Sequence, residues 1–524
     1  MKILTYLEAI IYLEKFIRPA IFRSITPEEA EKLDPLSRMR RLLELLGSPH
    51  KKFKSIQITG TSGKGSTSYF LANILSESGF KTGLTVSPHI VNANERLQIS
   101  NNEERITCQR RGSPKAANYG LMPINDEEFI EILNLTVPAI EKLKKTELGE
   151  PTYYEILLAM AFLYFAKEKI DIAVVEVGLE GKYDGTNVLN PQLVVLTNIG
   201  LDHTEILGNT VEKIVNEAVF AIKPGCLVVS GAKQNSVLEI IKRRVKQTKS
   251  KLCILGKDFK FKILNESERG VEFDHYNGKK SLRLKTSLPG DFQAENASLA
   301  VFAALKLYPE IGSDPIKKAI KNTFVPGRFE IINFRRGPVA DFPPASARSE
   351  FSSKSELRAG GSPSIRATPL SNGKSSFKVI SKKPAVRSYA IILDGAHNPT
   401  KMKTFLSALR KYFPGQKKIF LVAFKKDKEI GKMLKLIQRE ADKIIVSEFG
   451  AITDMSKKAT EKISNIKNQI LKINKNKNIK FIFEKDSRKA LDIALNLTSI
   501  TNNSIVVVTG SLYFVGEVRG LLKF

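Results

Sequence analysis

Seven residues, Gly60-Thr61-Ser62-Gly63-Lys64-Gly65-Ser66, bring glycines, hydroxyls and one lysine into a single short stretch. Glycine lets a backbone close on a phosphate, NH groups at a helix N-terminus cradle its oxygens, and a lysine reaches the terminal phosphates. The fit to G-x-x-x-x-G-K-[ST] is imperfect, because Ile58 stands where the first glycine belongs and Gly65 separates Lys64 from Ser66. The mechanics survive that departure: Lys64 is expected at the phosphates of a nucleotide, and the Ser66 hydroxyl within reach of Mg²⁺. The bland rival is a glycine turn carrying a solvated lysine.

Chargeable residues recur where apolar runs end. Ile172-Ala173-Val174-Val175-Glu176-Val177-Gly178 carries one acid. Burying it without a partner is costly, so Glu176 is expected near a strand end, facing a cation. Of five histidines, His89, His203 and His397 each sit in a polar loop after an apolar run. A lone histidine is more often structural, but three in equivalent places point to one site.

The elements that must position these groups alternate. Ile56 and Ile58 precede the glycine-rich turn, and a helical stretch from Thr67 to Ser78 follows it. Helical patterning is expected at Tyr6–Phe16, Pro27–Glu31 and Ser37–Leu46, then at Asp126–Lys145, Tyr153–Lys167 and Asn296–Leu307. Strands are expected at Lys81–Val86, leading into Ser87-Pro88-His89, and at Gln192–Asn198, leading into Gly200-Leu201-Asp202-His203-Thr204. That order predicts an α/β fold with a doubly wound parallel sheet. Val325 to Glu330 reads as a turn and linker. A second, smaller Rossmann-like series follows: strand Tyr389–Leu393, loop Asp394-Gly395-Ala396-His397-Asn398-Pro399, a helix to Tyr412, and strands at Lys418–Phe424, Lys443–Ser447, Ile479–Phe483 and Ile505–Val508. The expected organisation is 1–325 for the nucleotide domain, with a loop insertion at about 101–122; 326–388 for a linker with a disordered Ser/Arg/Lys-rich insertion; and 389–524 for the C-terminal domain.

Composition bounds the partners. The 524 residues, 42% of them hydrophobic, can bury a large core. No stretch has the apolar length of a membrane span, and the segment Leu4–Ile17 is interrupted by Glu8, Glu14 and Lys15, so no membrane partner is expected. Three scattered cysteines, Cys108, Cys226 and Cys253, offer neither a disulfide framework nor a CxxC site, which fits a reducing cytoplasm. The net charge of +29 attracts anions of many kinds. With no zinc-finger, RNP or helix-turn-helix signature, no nucleic-acid partner is expected, although a basic nucleic-acid-binding protein stays open as a rival.

The motifs in order are ITGTSGKGS (58–66), SPHI with ER (87–96), EVGLEGKYDGTN (176–187), TNIGLDHTEILG (197–208), GDFQAENA (290–297), VPGRFE (325–330), LDGAHNP (393–399) and VTGSLYFVGEVR (508–519). Together they resemble the folylpolyglutamate synthase/dihydrofolate synthase branch of the Mur ligase superfamily. The resemblance implies ATP-dependent amide formation between a pterin-linked carboxylate and L-glutamate through an acyl phosphate, with dihydropteroate or reduced folates as acceptor. It implies Lys64 and His397 in catalysis; Gly60, Thr61, Ser62, Gly63, Lys64, Gly65, Ser66, Asn296, Arg328 and Asp394 at ATP; Ser66, Glu176 and His203 at Mg²⁺; and Ser87, Pro88 and His89 at the acceptor. A monomer that closes two domains over its substrates is expected. Each assignment keeps a plain rival: Glu176 as an ion-paired acid, Arg328 as a linker charge. A Mur-type cell-wall ligase and a degenerate, non-catalytic nucleotide-binding relative also stay open.

One departure from the family pattern stands out. Related ligases follow LDHTxxLG with Glu-Lys-Ala-Gly, whose lysine is commonly carbamylated and helps hold a second Mg²⁺. Here the stretch is Glu217-Ala218-Val219-Phe220, and a methyl group cannot ligate a metal. Lys213 and Lys223 lie five residues away, on other turns of the expected helix. A weakened or missing second metal site is expected. Glu180, in Gly178-Leu179-Glu180-Gly181, replaces a glycine usual in the family and could either crowd the loop or supply a substitute metal oxygen.

Overall fold

The computed structural model describes residues 2–18, 35–100, 120–179, 181–335, 388–426, 428–454, 456, 459–473, 480–500 and 503–522. The helix expected at 27–31, the loop at 101–119, Glu180 and the stretch 336–387 lie outside these residues.

Strand β1 (Lys54–Thr59) runs through the middle of an eight-stranded sheet. Its companions are β2 (Thr82–Thr85), β3 (Gln98–Ser100), β4 (Leu121–Pro123), β5 (Ile172–Glu176), β6 (Leu193–Leu196), β7 (Leu227–Ser230) and β8 (Lys251–Ile254), in the order β4-β3-β2-β5-β1-β6-β7-β8. From β2 to β8 every pairing is parallel; β3 and β4 add an antiparallel edge. Helices cover both faces, so β5, β6 and β7 are nearly continuous apolar runs, while β1 buries Ser55, Gln57 and Thr59 alongside Ile56 and Ile58. One face packs on helices Lys64–Glu77 and Phe292–Leu307, the other on Tyr6–Glu14, Asp126–Lys144 and Tyr153–Lys167. The loop expected to extend to about 122 gives way at Leu121, because β4 pairs with β3 there.

A three-stranded antiparallel sheet, β9 (Phe259–Ser267), β10 (Gly270–Asn277) and β11 (Lys280–Thr286), lies against helix Phe292–Leu307. Phe259 stacks on Phe302 with ring centroids 4.0 Å apart. Gly270 turns between β9 and β10 at φ 118°, where an added Cβ would stand 1.8 Å from the Thr286 carbonyl oxygen.

The second large sheet holds β12 (Glu330–Arg335), β13 (Ser388–Leu393), β14 (Lys417–Val422), β15 (Lys443–Val446), β16 (Lys480–Phe483) and β17 (Ser504–Thr509), ordered β12-β13-β17-β14-β15-β16. Its core strands are parallel and apolar on both faces. The linker expected over 326–388 differs at its start: Glu330–Arg335 is β12, paired antiparallel with β13. Physically, Ile331 and Ile332 belong to this sheet's two cores, and Glu330 is fixed by Arg519 Nε at 2.9 and 3.0 Å.

Candidate active site

The register of the first sheet places the site. Ile58 lies beside Glu176 in the β1/β5 pair, so the glycine-rich turn after β1 and the acid ending β5 share one sheet edge. That is where open parallel sheets bind ligands. The turn needs its glycines: Gly60 (φ 122°) would push a Cβ to 2.3 Å from Thr197 Oγ1, and Gly63 (φ 90°) to 2.3 Å from Asn296 Oδ1. Thr61 N donates to the Asn198 carbonyl at 2.7 Å, tying the turn to the loop after β6. Helix Lys64–Glu77 opens at this turn, and Lys64 Nζ donates to the Gly60 carbonyl at 2.7 Å.

A cavity of about 830 Å³ spans the turn and the second domain. Of the residues expected at a site, Thr61, Ser62, Gly63, Lys64, Gly65, Ser66, Ser87, Pro88, Glu176, His203, Asn296, Arg328, Asp394 and His397 line it. His89 faces elsewhere: its Nδ1 accepts from Arg96 Nε at 3.3 Å, and burial beside that guanidinium pulls the ring down to about 4.

Glu176 is buried, and burial pushes its carboxyl above the usual range against the pull of Lys64. One oxygen accepts from Ser87 N at 3.0 Å. His203, at φ 49°, heads the short helix Thr204–Leu207. Burial lowers its ring to about 3, so the imidazole is neutral and has a lone pair to offer. A hydroxyl (Ser66), a buried carboxylate and a neutral imidazole suit a divalent cation. Among the described residues no three His, Cys, Asp or Glu side chains converge on one metal position, so any such site depends on the hydroxyl. Ala218 is 1% exposed inside an apolar cluster with Val194, Leu196 and Ile214, whereas its neighbour Glu217 lines the cavity and accepts from Lys182 N at 3.0 Å.

The second domain contributes the loop after β13. Asp394 accepts from Phe329 N and Ala396 N, both at 2.9 Å, and burial raises it to about 6 despite Arg328. His397 Nδ1 lies 2.8 Å from the Gly395 carbonyl and Nε2 lies 3.2 Å from Lys401 Nζ. Burial lowers this ring to about 4, so it is neutral, with Nδ1–H donating and Nε2 accepting.

Sequence reasoning passed over the residues that join the halves. Asp202, beside His203, receives Lys401 Nζ at 2.8 Å, Asn398 Nδ2 at 3.0 Å and Lys428 Nζ at 3.1 Å, all from the second domain. Burial alone would raise Asp202, but Lys401 holds it well below the usual carboxylate range. Arg38 grips Glu155, which also caps helix Tyr153–Lys167 at the cavity's other end. The local sign for Asp202 was its place after a strand end; the partners, some 200 residues away, left none.

Comparison with known proteins follows the same lines. The Mur ligase middle domain model matches residues 130–304, and the model for the dihydrofolate synthetase C-terminal domain matches 378–523. A dihydrofolate synthase/folylpolyglutamate synthase of Bacillus subtilis is 29% identical over 502 residues, covering 93% of this chain and 95% of that one. The crystal structure of folylpolyglutamate synthase from Thermotoga maritima superposes with a TM-score of 0.71 at 26% identity, covering 99% of this chain and 96% of the other. The Mycobacterium tuberculosis folylpolyglutamate synthase complexed with ADP shares the fold, at a TM-score of 0.74 and 21% identity over 98% of both chains. Nearly the whole chain is thus similar to folylpolyglutamate and dihydrofolate synthases, with a Mur ligase middle domain followed by a dihydrofolate synthetase C-terminal domain.

Proposed function

We propose that this chain is an ATP-dependent ligase that adds L-glutamate to dihydropteroate, to reduced folates, or to both. The observation that carries this reading is a single cavity lined by the phosphate loop, by Glu176 and His203, and by Arg328, Asp394 and His397 of the second domain. The named relatives, one dual-function and one a folylpolyglutamate synthase, support the acceptor class.

In the first step an acceptor carboxylate oxygen bonds to the γ-phosphorus of ATP, the bond to the bridging oxygen breaks, and ADP leaves. The glutamate amine, having lost its ammonium proton, then attacks the acyl carbon. The C–O bond to phosphate breaks, inorganic phosphate departs and an amide remains. Such transfers need positioning and charge neutralisation more than a protein nucleophile. Gly60 to Ser66 present backbone NH groups and Lys64 to the phosphates, while Asn296 and Arg328 flank the nucleotide. Asp394 holds the His397 loop through two backbone NH groups, and neutral His397 positions phosphate or glutamate. Ser66, Glu176 and His203 would hold Mg²⁺, which supplies charge neutralisation. Ser87 and Pro88 wall the acceptor, and His89 steadies that wall through Arg96.

Residues 1–325 act as the nucleotide domain and those from β12 onward as the closing domain. We assign a monomer working in the cytoplasm; no helix among the described residues is long and apolar enough to cross a membrane. The test is amide formation from ATP and labelled L-glutamate, with dihydropteroate and tetrahydrofolate supplied separately. ATP binding with no product from either acceptor would favour a non-catalytic relative, and turnover of a UDP-linked acceptor a cell-wall ligase.

A further inference from the structure

Lys401 breaks a local rule. It sits in the first turn of helix Pro399–Tyr412, its backbone NH donating to the cap Asn398 Oδ1 at 2.8 Å. A cation there opposes the helix dipole, which favours negative charge at an N-terminus. The side chain is only 24% exposed, so water does little to relieve it. Its neighbours add repulsion: Lys64 and Arg328 stand near enough that both press against the ammonium charge, and burial does the same. Asp202 is its ion-pair partner, and it is shared with Lys428. Lys64, Arg328, Lys401 and Lys428 together face Asp202, Asp394 and Glu176 in this part of the cavity, an excess of positive charge beside the phosphate loop. Local choices that disfavour folding persist where a ligand makes them favourable.

We propose that Lys401 is a catalytic residue: a cation, delivered by the second domain, that binds the transferring γ-phosphoryl group and stabilises its charge in the transition state. This rests on the ligase reading above. Asp202 parks the ammonium at 2.8 Å, and helix tilt aims the first-turn side chain back toward the cavity. Bringing this charge to the phosphoryl group requires the two domains to meet, so Lys401 makes chemistry contingent on closure.

The test compares Lys401→Met, Lys401→Gln and Lys401→Arg in the full chain. Lys401→Gln keeps a hydrogen-bond donor for Asp202 without the charge, and serves if Lys401→Met fails to fold. Loss of one such charge should lower kcat about 100-fold in Met and Gln, and Arg should recover most of it. Affinity for the non-hydrolysable analogue AMPPCP should fall about tenfold while that for ADP holds within about threefold, since only the former carries a γ-phosphoryl group. Equal weakening of ADP and AMPPCP, or a kcat within about threefold of wild type in Lys401→Gln, would overturn the proposal. If wild type forms no product with either acceptor, the ligase reading fails, and Lys401 is then judged on AMPPCP against ADP alone.

Discussion

Arg96 Nη2 lies 2.6 Å from Asp454 Oδ1 and 2.7 Å from Oδ2, so one guanidinium crosses from the turn after β2 to the second domain over 358 residues of sequence. The arginine side chain is 2% exposed and the aspartate 19%. Removing one partner of such a pair strands a buried charge and costs about 3–5 kcal/mol. Asp454→Ala should therefore lose stability on that order in urea unfolding and raise KM for the acceptor. A loss under about 1 kcal/mol would show that water already compensates Arg96.

Lys64→Ala should abolish glutamate addition and leave the melting temperature nearly unchanged. Its ammonium donates to a carbonyl of its own loop, Gly60, a contact that adds little to stability, while phosphoryl transfer relies on its charge. Turnover near wild type in that variant would remove the phosphate-loop assignment.

Gly516, in helix Leu512–Leu521, leaves no room for a methyl group: a Cβ would stand 1.7 Å from the Ile90 carbonyl oxygen. Gly516→Ala must shift the helix or the 87–91 loop, at about 1–3 kcal/mol. If that loop walls the acceptor, as proposed, KM for the acceptor should rise more than KM for ATP. Equal changes in both would point to general loosening of the domain contact.

His275 sets an acid limit. It is 2% exposed, neither ring nitrogen has a hydrogen-bond partner among the described residues, and burial holds the ring at about 4. The unfolded chain takes up this proton near the ordinary value of about 6.5, so the unfolded state binds more protons below it. Stability from this residue is complete above that value and declines as pH falls toward 4, by roughly 3 kcal/mol. His275→Phe should flatten the unfolding free energy between pH 4 and 6.5 relative to wild type. Parallel curves for the two proteins would refute the account.

Ala218 makes the metal requirement testable. With no ligand at that position, activity should rise with Mg²⁺ well beyond the amount needed to saturate ATP. Ala218→Lys, assayed with bicarbonate, should lower that requirement if its chain reaches the cavity, and should lower the melting temperature because the site is apolar and 1% exposed. Full wild-type activity at Mg²⁺ equimolar with ATP, unmoved by the substitution, would overturn the argument.

Much of the site was legible because its logic is local. Gly60 to Ser66 follow a strand and open a helix, and Glu176 is the one acid in an apolar run; both readings need only neighbours in sequence. The three-stranded sheet was passed over although Phe259, Phe261 and Ile263 alternate with Lys260 and Lys262, a period-two pattern that ends at Leu264. β12 was missed because Pro326-Gly327 reads as a stop, while the strand after it is held by Arg519 from the chain's last helix. His89 was expected on the acceptor and instead meets Arg96, because a side chain's direction depends on partners that sequence does not show. The pairs that close the molecule, Asp202 with Lys401 and Arg96 with Asp454, leave no local pattern.

In β12 and β13, Arg335 and Ser388 face each other across an antiparallel pair. A connector of almost any length can join two strand ends that meet at one rung. We expect the junction to act as a socket, tolerant of changes in the length of what it holds. Replacing 338–381 with a short Gly/Ser connector should spare activity and melting temperature, and the same socket should accept a passenger, such as a fluorescent protein whose own termini lie close together. Inserted there, it would ride on the second domain and report its motion, from a junction flanked in sequence by Arg328 and Asp394.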